Sequence, residues 1–209
     1  SVKCLAGEEI FNSVEDVRAD LEMADADILW VADKREGAVP EPMEDIMANL
    51  DSYSRANLED TKTILAGDTG FYIFTSGTTG MPKAAKVGQR RLLAAGSSFS
   101  KAGVRAKPSD RIYLCLPLFH GTGFICGVNS AIFSGASMFL RRKFSASAFW
   151  PEVKEHNCTI FFYVGELCRY LVTQPPCPEE KNNPLDRVFG NGLRPDVWDE
   201  FKQRFGIDR

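Results

Sequence analysis

FYIFTSGTTGMPKAAKV, residues 71–87, carries two kinds of pattern in one stretch. FYIF (71–74) is aromatic and β-branched and reads as a strand, and AAKV (84–87) reads as a second one. The nine residues between them, TSGTTGMPK (75–83), are small, hydroxylic and glycine-rich. Successive backbone N–H groups in such a turn form a concave set of donors that suits phosphate oxygens. The Ser and Thr hydroxyls add further donors and Lys83 adds a positive charge. The stretch is not the usual nucleoside-triphosphatase loop, which needs Gly-Lys-Ser/Thr. Here Pro82 precedes the lysine and Ala84 follows it, so no hydroxyl is placed to hold magnesium. The competing reading is a flexible Gly/Ser/Thr linker, but linkers are seldom flanked by two apolar strands.

Outward from this stretch the chain alternates. Toward the N-terminus, VKCLAG is a short apolar run, followed by Ile10, Val14, Val17 and Leu21 at helical spacing and then by ILWVA at 28–32. That order predicts strand, helix, strand with parallel pairing, the mark of an open α/β sheet. Residues 34–69 carry Pro40, Pro42 and many charges, and read as a surface connection with one short helix near 43–50. Toward the C-terminus the expected order is a helix from about 89 to 102, a buried strand in IYLCLPLF (112–119) and a helix in GFICGVNSAIF. A strand in SMFLRR follows, then a helix in SASAFWPEVKEH capped by its first serine, and a strand in TIFFYVG (159–165). After four prolines between 175 and 184, DRVFG gives a strand and DVWDEFKQRFG a terminal helix, with no internal repeat.

Composition narrows the function. With 209 residues, 44% of them hydrophobic, the chain buries a real core, and its formal charge of −3 offers no general attraction to phosphate backbones. The basic clusters Arg90–Arg91 and Arg141–Arg142–Lys143 are short and read as solvated faces, so no nucleic-acid partner is expected. Six cysteines form no CxxC pair and mostly sit in apolar runs, as in a reducing compartment. Two histidines without clustered ligands give a metal site nothing to use. No apolar run approaches the ~20 residues that span a bilayer, and no secretory leader opens the chain. An intracellular location is expected, in the cytoplasm or on the cytoplasmic face of a membrane.

FTSGTTGMPK (74–83) resembles the phosphate-binding signature of the adenylate-forming, or AMP-binding, superfamily. Members usually have glycine after the lysine. Ala84 stands there instead, a variation that the fatty-acid transport protein branch shares. LCLPLFHGTG (114–123), RRKFSASAFW (141–150), CTIFFYVGELCRYL (158–171) and FGNGLR (189–194) are similar to the very-long-chain acyl-CoA synthetase and fatty-acid transport protein family. The resemblance implies an α/β fold of open, mostly parallel sheets flanked by helices. It makes residues 1–209 part of the large N-terminal AMP-binding domain, without the C-terminal lid domain. The implied activity is an ATP-dependent ligase that activates a long-chain or very-long-chain fatty acid as acyl-adenylate and transfers it to coenzyme A. Magnesium is implied as well, its ligand outside the chain, and the full-length protein as a possible peripheral membrane protein. The alternatives are a non-enzymatic fatty-acid uptake protein or scaffold, and a ligase for a medium-chain, bile or aryl acid.

The resemblance places Thr75, Ser76, Gly77, Thr78, Thr79, Gly80 and Lys83 around the ATP phosphates. His120, on residues alone either a satisfied core group or a functional one, becomes a substrate-positioning residue. Gly190, Asn191 and Gly192, on residues alone a turn as readily as a site, become backbone against adenine, where absent side chains permit close approach. Glu166 reads either as a functional carboxylate or, the preferred reading, as the first turn of a helix, where a negative charge is favourable, and Phe149 and Trp150 read as core. The Thr-Glu pair, ribose aspartate and C-terminal lysine on which the family relies do not occur before Arg209. No residue within the chain is therefore assigned to catalysis or to a metal, and these 209 residues are expected not to complete the reaction alone.

Overall fold

The computed structural model describes residues 4–24, 27–32, 44–45, 48–75 and 80–207, in two compact units, residues 1–63 and 64–209. In the first, β1 (Cys4–Gly7) and β2 (Ile28–Val31) pair in parallel, Cys4 opposite Ile28 and Gly7 opposite Val31, with α1 (Phe11–Val17) between them in sequence. The predicted strand, helix and strand are all present. The buried face differs from the expected one. Ala6, Ile28 and Trp30 form the core, Phe11 and Val14 pack on it, and the Phe11 and Trp30 rings lie 4.6 Å apart, whereas Ile10 and Val17 are exposed. Tight 3-10 turns at Glu8–Ile10 and Arg18–Asp20 flank α1, so the 3.6-residue period does not run through residues 10–21. The helix expected near 43–50 falls partly outside the described residues. Within them Glu44 is extended, exchanging backbone hydrogen bonds with Trp30 and Ala32 at 2.9 Å, and a 3-10 turn spans Leu50–Ser52.

The second unit opens with an antiparallel hairpin, β3 (Thr69–Thr75) and β4 (Lys83–Gly88), in which Thr75 faces Lys83 and Tyr72 faces Lys86. The helix α2 (Gln89–Ser98) follows and continues as a wider π-turn over Phe99–Gly103. The main sheet contains β5 (Arg111–Leu114), β6 (Ser137–Leu140), β7 (Ile160–Val164) and β8 (Arg187–Asn191), all parallel, in the order β6-β5-β7-β8. A π-turn over Thr122–Val128 and α3 (Asn129–Ser134) connect β5 to β6, and α4 (Ala146–Glu155) connects β6 to β7. The helix α5 (Gly165–Thr173) connects β7 to β8, and α6 (Pro195–Phe205) follows. The central strands are buried on both faces. Ile112, Tyr113, Leu114, Ile160, Phe161 and Phe162 have almost no exposed surface, as their unbroken apolar runs require in a parallel sheet. Phe149 and Trp150 of α4 are buried with them, and the Tyr113 and Phe149 rings meet edge-on at 4.8 Å.

Charged pairs tie the margins of this core. At the amino ends of the strands, Arg187 donates to Asp110 Oδ1 at 2.6 Å and to the carbonyls of Val104 and Arg105 at 2.8 Å, while Thr159 donates to Asp110 at 2.8 Å. Arg204 of α6 donates to Glu180 at 2.6 Å and to the Val172 carbonyl. Arg141, expected on a solvated face, is instead half-buried and paired at 2.6 Å with Glu152, which also accepts from the Tyr113 hydroxyl. The Ser145 hydroxyl accepts from the Ala148 N–H and caps α4 as predicted. Ser145→Ala should cost about 1 kcal/mol in chemical unfolding, and Ser145→Asp little, since either an alcohol or a carboxylate oxygen serves an N-cap.

Candidate functional site

The order β6-β5-β7-β8 fixes where the sheet opens. The chain leaves the carboxyl end of β5 toward β6 on one side and the carboxyl end of β7 toward β8 on the other. Adjacent strands whose connections diverge leave a crevice beyond their carboxyl ends, where ligands settle in open α/β sheets. The loop Cys115–Gly121 after β5, the turn at Gly165 after β7 and the Asn191–Gly192 turn after β8 all stand at this edge.

The β3–β4 hairpin closes the glycine-rich stretch. The Thr75 hydroxyl donates to the Lys83 carbonyl at 3.3 Å across the mouth of the loop. Ser76, Gly77, Thr78 and Thr79 lie outside the described residues. Gly80 and Lys83 are exposed, and Gly80 has a φ of 145° with open space where a side chain would stand. The loop therefore joins antiparallel strands instead of a strand and a helix, a second difference from the triphosphatase loop besides Pro82 and Ala84.

The loop after β5 meets this hairpin. The Phe71 ring packs edge-on against Phe124 at 5.3 Å, and a groove of about 620 Å³ is walled by Ile73, Phe74, Thr75, Phe119, His120 and Thr122. A second groove, of about 600 Å³, lies along Tyr72, Phe74, Leu118, Phe119 and Phe124 and is lined mainly by apolar side chains. His120 is exposed, so it does not fill the core. Its Nδ1 accepts the backbone N–H of Thr122 at 3.2 Å. Cys126 also lines the first groove, but burial pushes its thiol up to about 11, so it stays protonated at neutral pH and acts as apolar wall.

The β8 end shows two distinct uses of glycine. A Cβ on Gly190 would lie 2.1 Å from the Tyr163 carbonyl, so this residue owes its missing side chain to β7 packing alongside it. Gly192 adopts φ 70° and turns the chain toward α6, not into the hairpin that Asn-Gly suggests. A Cβ on Gly165 would lie 1.9 Å from the Gly192 carbonyl, so the β7 and β8 turns touch backbone to backbone. Gly165 was not singled out as a site residue. Its signal was a glycine between a buried strand and a helix. Asn191 Nδ2 donates to Thr122 Oγ1 at 3.2 Å, which ties the β8 end to the β5 loop. Glu166 sits in the first turn of α5, held by Arg169 at 2.6 Å, as the helix reading expects.

The structure thus brings Thr75, His120, Thr122 and Asn191 to one edge, with Lys83 beside Thr75. Among the described residues no group of three His, Cys, Asp or Glu side chains stands ready to hold a metal, and no helix is long and apolar enough to cross a membrane.

Sequence comparison matches residues 7–209 to the family described as AMP-binding enzyme. The medium/long-chain-fatty-acid–CoA ligase FadD6 of Mycobacterium tuberculosis is 45% identical over 167 residues, which are 80% of this chain and 28% of that protein. Human long-chain fatty acid transport protein 3 is 39% identical over 180 residues, 85% of this chain and 26% of that one. The chain spans about a quarter of the length of these curated relatives. In three dimensions the N-terminal domain of FACL13 from Mycobacterium tuberculosis superposes over 98% of this chain and 48% of its own, with a TM-score of 0.73 at 18% identity. A benzoate CoA ligase from Burkholderia xenovorans covers 98% of this chain and 39% of its own, with a TM-score of 0.75 at 16% identity. At such identities the likeness is one of fold.

Proposed function

The chain belongs to the family of AMP-binding enzymes, and on that basis we propose that it supplies the phosphate- and adenine-binding edge of an ATP-dependent fatty acid–CoA ligase. Residues 1–209 then form part of a larger N-terminal domain. The observation that carries the reading is the convergence of the hairpin mouth, Thr75 and Lys83, with His120 and the Asn191–Gly192 turn at the sheet's open edge.

In the proposed reaction a fatty carboxylate oxygen attacks the α-phosphorus of ATP, forming a P–O bond as the bond to pyrophosphate breaks. The sulfur of coenzyme A then bonds to the acyl carbon and AMP leaves. Positioning and charge neutralisation carry most of such phosphoryl chemistry. Thr75, Gly80 and Lys83, with Ser76, Gly77, Thr78 and Thr79, hold the β- and γ-phosphates. His120 positions the reacting groups. Gly190, Asn191 and Gly192 offer backbone to adenine. The apolar groove along Phe74, Phe119 and Phe124 suits an alkyl chain, and the likeness to long-chain fatty-acid proteins supports that acid over a short or aryl one. Magnesium, which this family chemistry implies, finds no cluster of carboxylates to hold it among the described residues, and no step here runs through it. The full-length protein is proposed to work inside the cell, in the cytoplasm or peripherally on the cytoplasmic face of a membrane.

The test is ATP–pyrophosphate exchange driven by fatty acids in the full-length protein. Lys83→Ala should weaken it by about 1.5–3 kcal/mol, the worth of a hydrogen bond to a charged group, with an unchanged melting temperature because Lys83 is exposed. Unchanged exchange in Lys83→Ala removes the phosphate assignment. Kinship with fatty acid transport proteins favours one second reading, a role in fatty-acid uptake. Absence of any acid-dependent exchange by the wild-type protein would favour uptake over ligation.

A further inference from the structure

Three residues at the groove are joined in one line. Asn191 Nδ2 donates to Thr122 Oγ1 at 3.2 Å, and the Thr122 backbone N–H donates to His120 Nδ1 at 3.2 Å. Thr122 is buried, 7% exposed, at the start of the π-turn, while the His120 ring is exposed along the groove wall with Thr75. The loop itself is held by further backbone bonds, from His120 N–H to the Pro117 carbonyl and from Phe124 N–H to the His120 carbonyl, both 3.0 Å.

The chemistry of that line is directional. A backbone N–H only donates, so Nδ1 has to be the unprotonated nitrogen of the ring, and a neutral imidazole then carries its proton on Nε2. The Asn191 bond acts one step further back. It crosses 69 residues of sequence to fix the Thr122 side chain, and with it the place from which the Thr122 N–H points at the ring. A histidine that merely filled space would have no need of a fixed tautomer.

We propose that Thr122 and the Asn191 side chain are positioning residues that hold His120 in its Nε2–H form, so that the ring donates a hydrogen bond to an anionic oxygen bound in the groove. This rests on the reading of the groove as the adenylation site. The oxygen belongs either to the fatty carboxylate or to a nucleotide phosphate, both of which accept from a neutral N–H. Asn191 then serves the site twice, with its backbone at the turn after β8 and its side chain on the Thr122 hydroxyl.

The test has a spectroscopic arm and a kinetic one, both on the full-length protein. With histidine labelled by nitrogen-15, the His120 resonances are assigned by their loss in His120→Asn. The wild type should show an unprotonated Nδ1 and a protonated Nε2, and Thr122→Val and Asn191→Leu should each show a mixture of tautomers. In pyrophosphate exchange each of these two variants should raise one KM about tenfold with kcat changed less, the size of one lost hydrogen bond. The double variant should be no worse than either, since both break one line of contacts, and Thr122→Ser should recover the loss. A rise in the KM for the acid assigns the carboxylate, and a rise in the KM for ATP assigns the phosphate. A wild-type ring protonated on Nδ1 overturns the proposal. So does a His120→Ala protein that loses exchange while Thr122→Val and Asn191→Leu keep wild-type KM values, an outcome that leaves the adenylation reading standing. Full exchange by His120→Ala would instead overturn that role for the groove, and this assignment with it.

Discussion

Arg187→Met should lower the unfolding free energy by about 3–5 kcal/mol, because it leaves the buried Asp110 carboxylate without its charged partner. Arg187 donates hydrogen bonds to three acceptors, Asp110 and the carbonyls of Val104 and Arg105, and also pairs with Asp186 at 2.9 Å, and both members of the Asp110 pair are nearly enclosed. Urea unfolding checks this, with a lower midpoint at an unchanged slope. Changing Asp110 to leucine in the same protein should recover part of the loss, since an apolar pair needs no counter-charge. The pH dependence has a definite sign. Burial alone would raise the Asp110 carboxyl, but hydrogen bonds from Arg187, the Lys107 amide and Thr159 outweigh it and hold the group below its ordinary range. Glu180 behaves likewise, with burial opposed and outweighed by Arg204 and the Cys177 amide. Depressed carboxylates contribute stability that is complete above their unfolded values and lost as the pH falls through the folded ones. The wild type should therefore weaken most steeply below about pH 4, where unfolded carboxylates already bind protons. Arg187→Met should lose much of that acid sensitivity.

Gly165→Ala should damage stability and exchange together. Its new methyl would lie 1.9 Å from the Gly192 carbonyl oxygen and 2.4 Å from the carbonyl carbon, both main-chain atoms that cannot rotate away. The turn after β8 has to move, at a cost of about 1–3 kcal/mol for an overpacked site. That movement carries Asn191 away from Thr122, so exchange should fall further than the stability loss alone explains. Wild-type values in both unfolding and exchange would show that the two turns have room to part. A double variant adding Gly192→Ala should not restore either, because Gly192 holds a φ of 70° that side chains resist.

Much of this arrangement was legible in the sequence, for physical reasons. Unbroken apolar runs such as TIFFYVG leave a chain little choice but a doubly buried strand, and Ser145 ahead of a helical pattern stated its cap in advance. Glu166 was likewise readable as a first-turn carboxylate. The misread parts depend on contacts distant in the chain or on a broken period. The 3-10 turns around α1 moved its buried face to Phe11 and Val14. Arg141 looked solvated because its partner, Glu152, lies on the next helix. The importance of Gly165 comes from Gly192, and that of Thr122 from Asn191. Neither pairing leaves a mark in local composition.

The strand order also sets the order in which the second unit can assemble. β7 and β8 are joined through α5 and a connection that holds a 3-10 turn at Pro178–Glu180, and they can pair while little else is formed. β5 and β7 are neighbours only after the whole excursion through β6 and α4 has been laid aside, and the Arg111–Thr159 hydrogen bond beside them closes a separation of 48 residues. Closing that span carries the larger loop entropy, and pairings of high sequence separation are the slow ones. The crevice between β5 and β7 is thus among the last parts of the sheet to exist during folding. A chain caught before that step has not yet brought the β8 turn to the β5 loop, so the Asn191–Thr122 hydrogen bond reports on the completed sheet and not on its pieces.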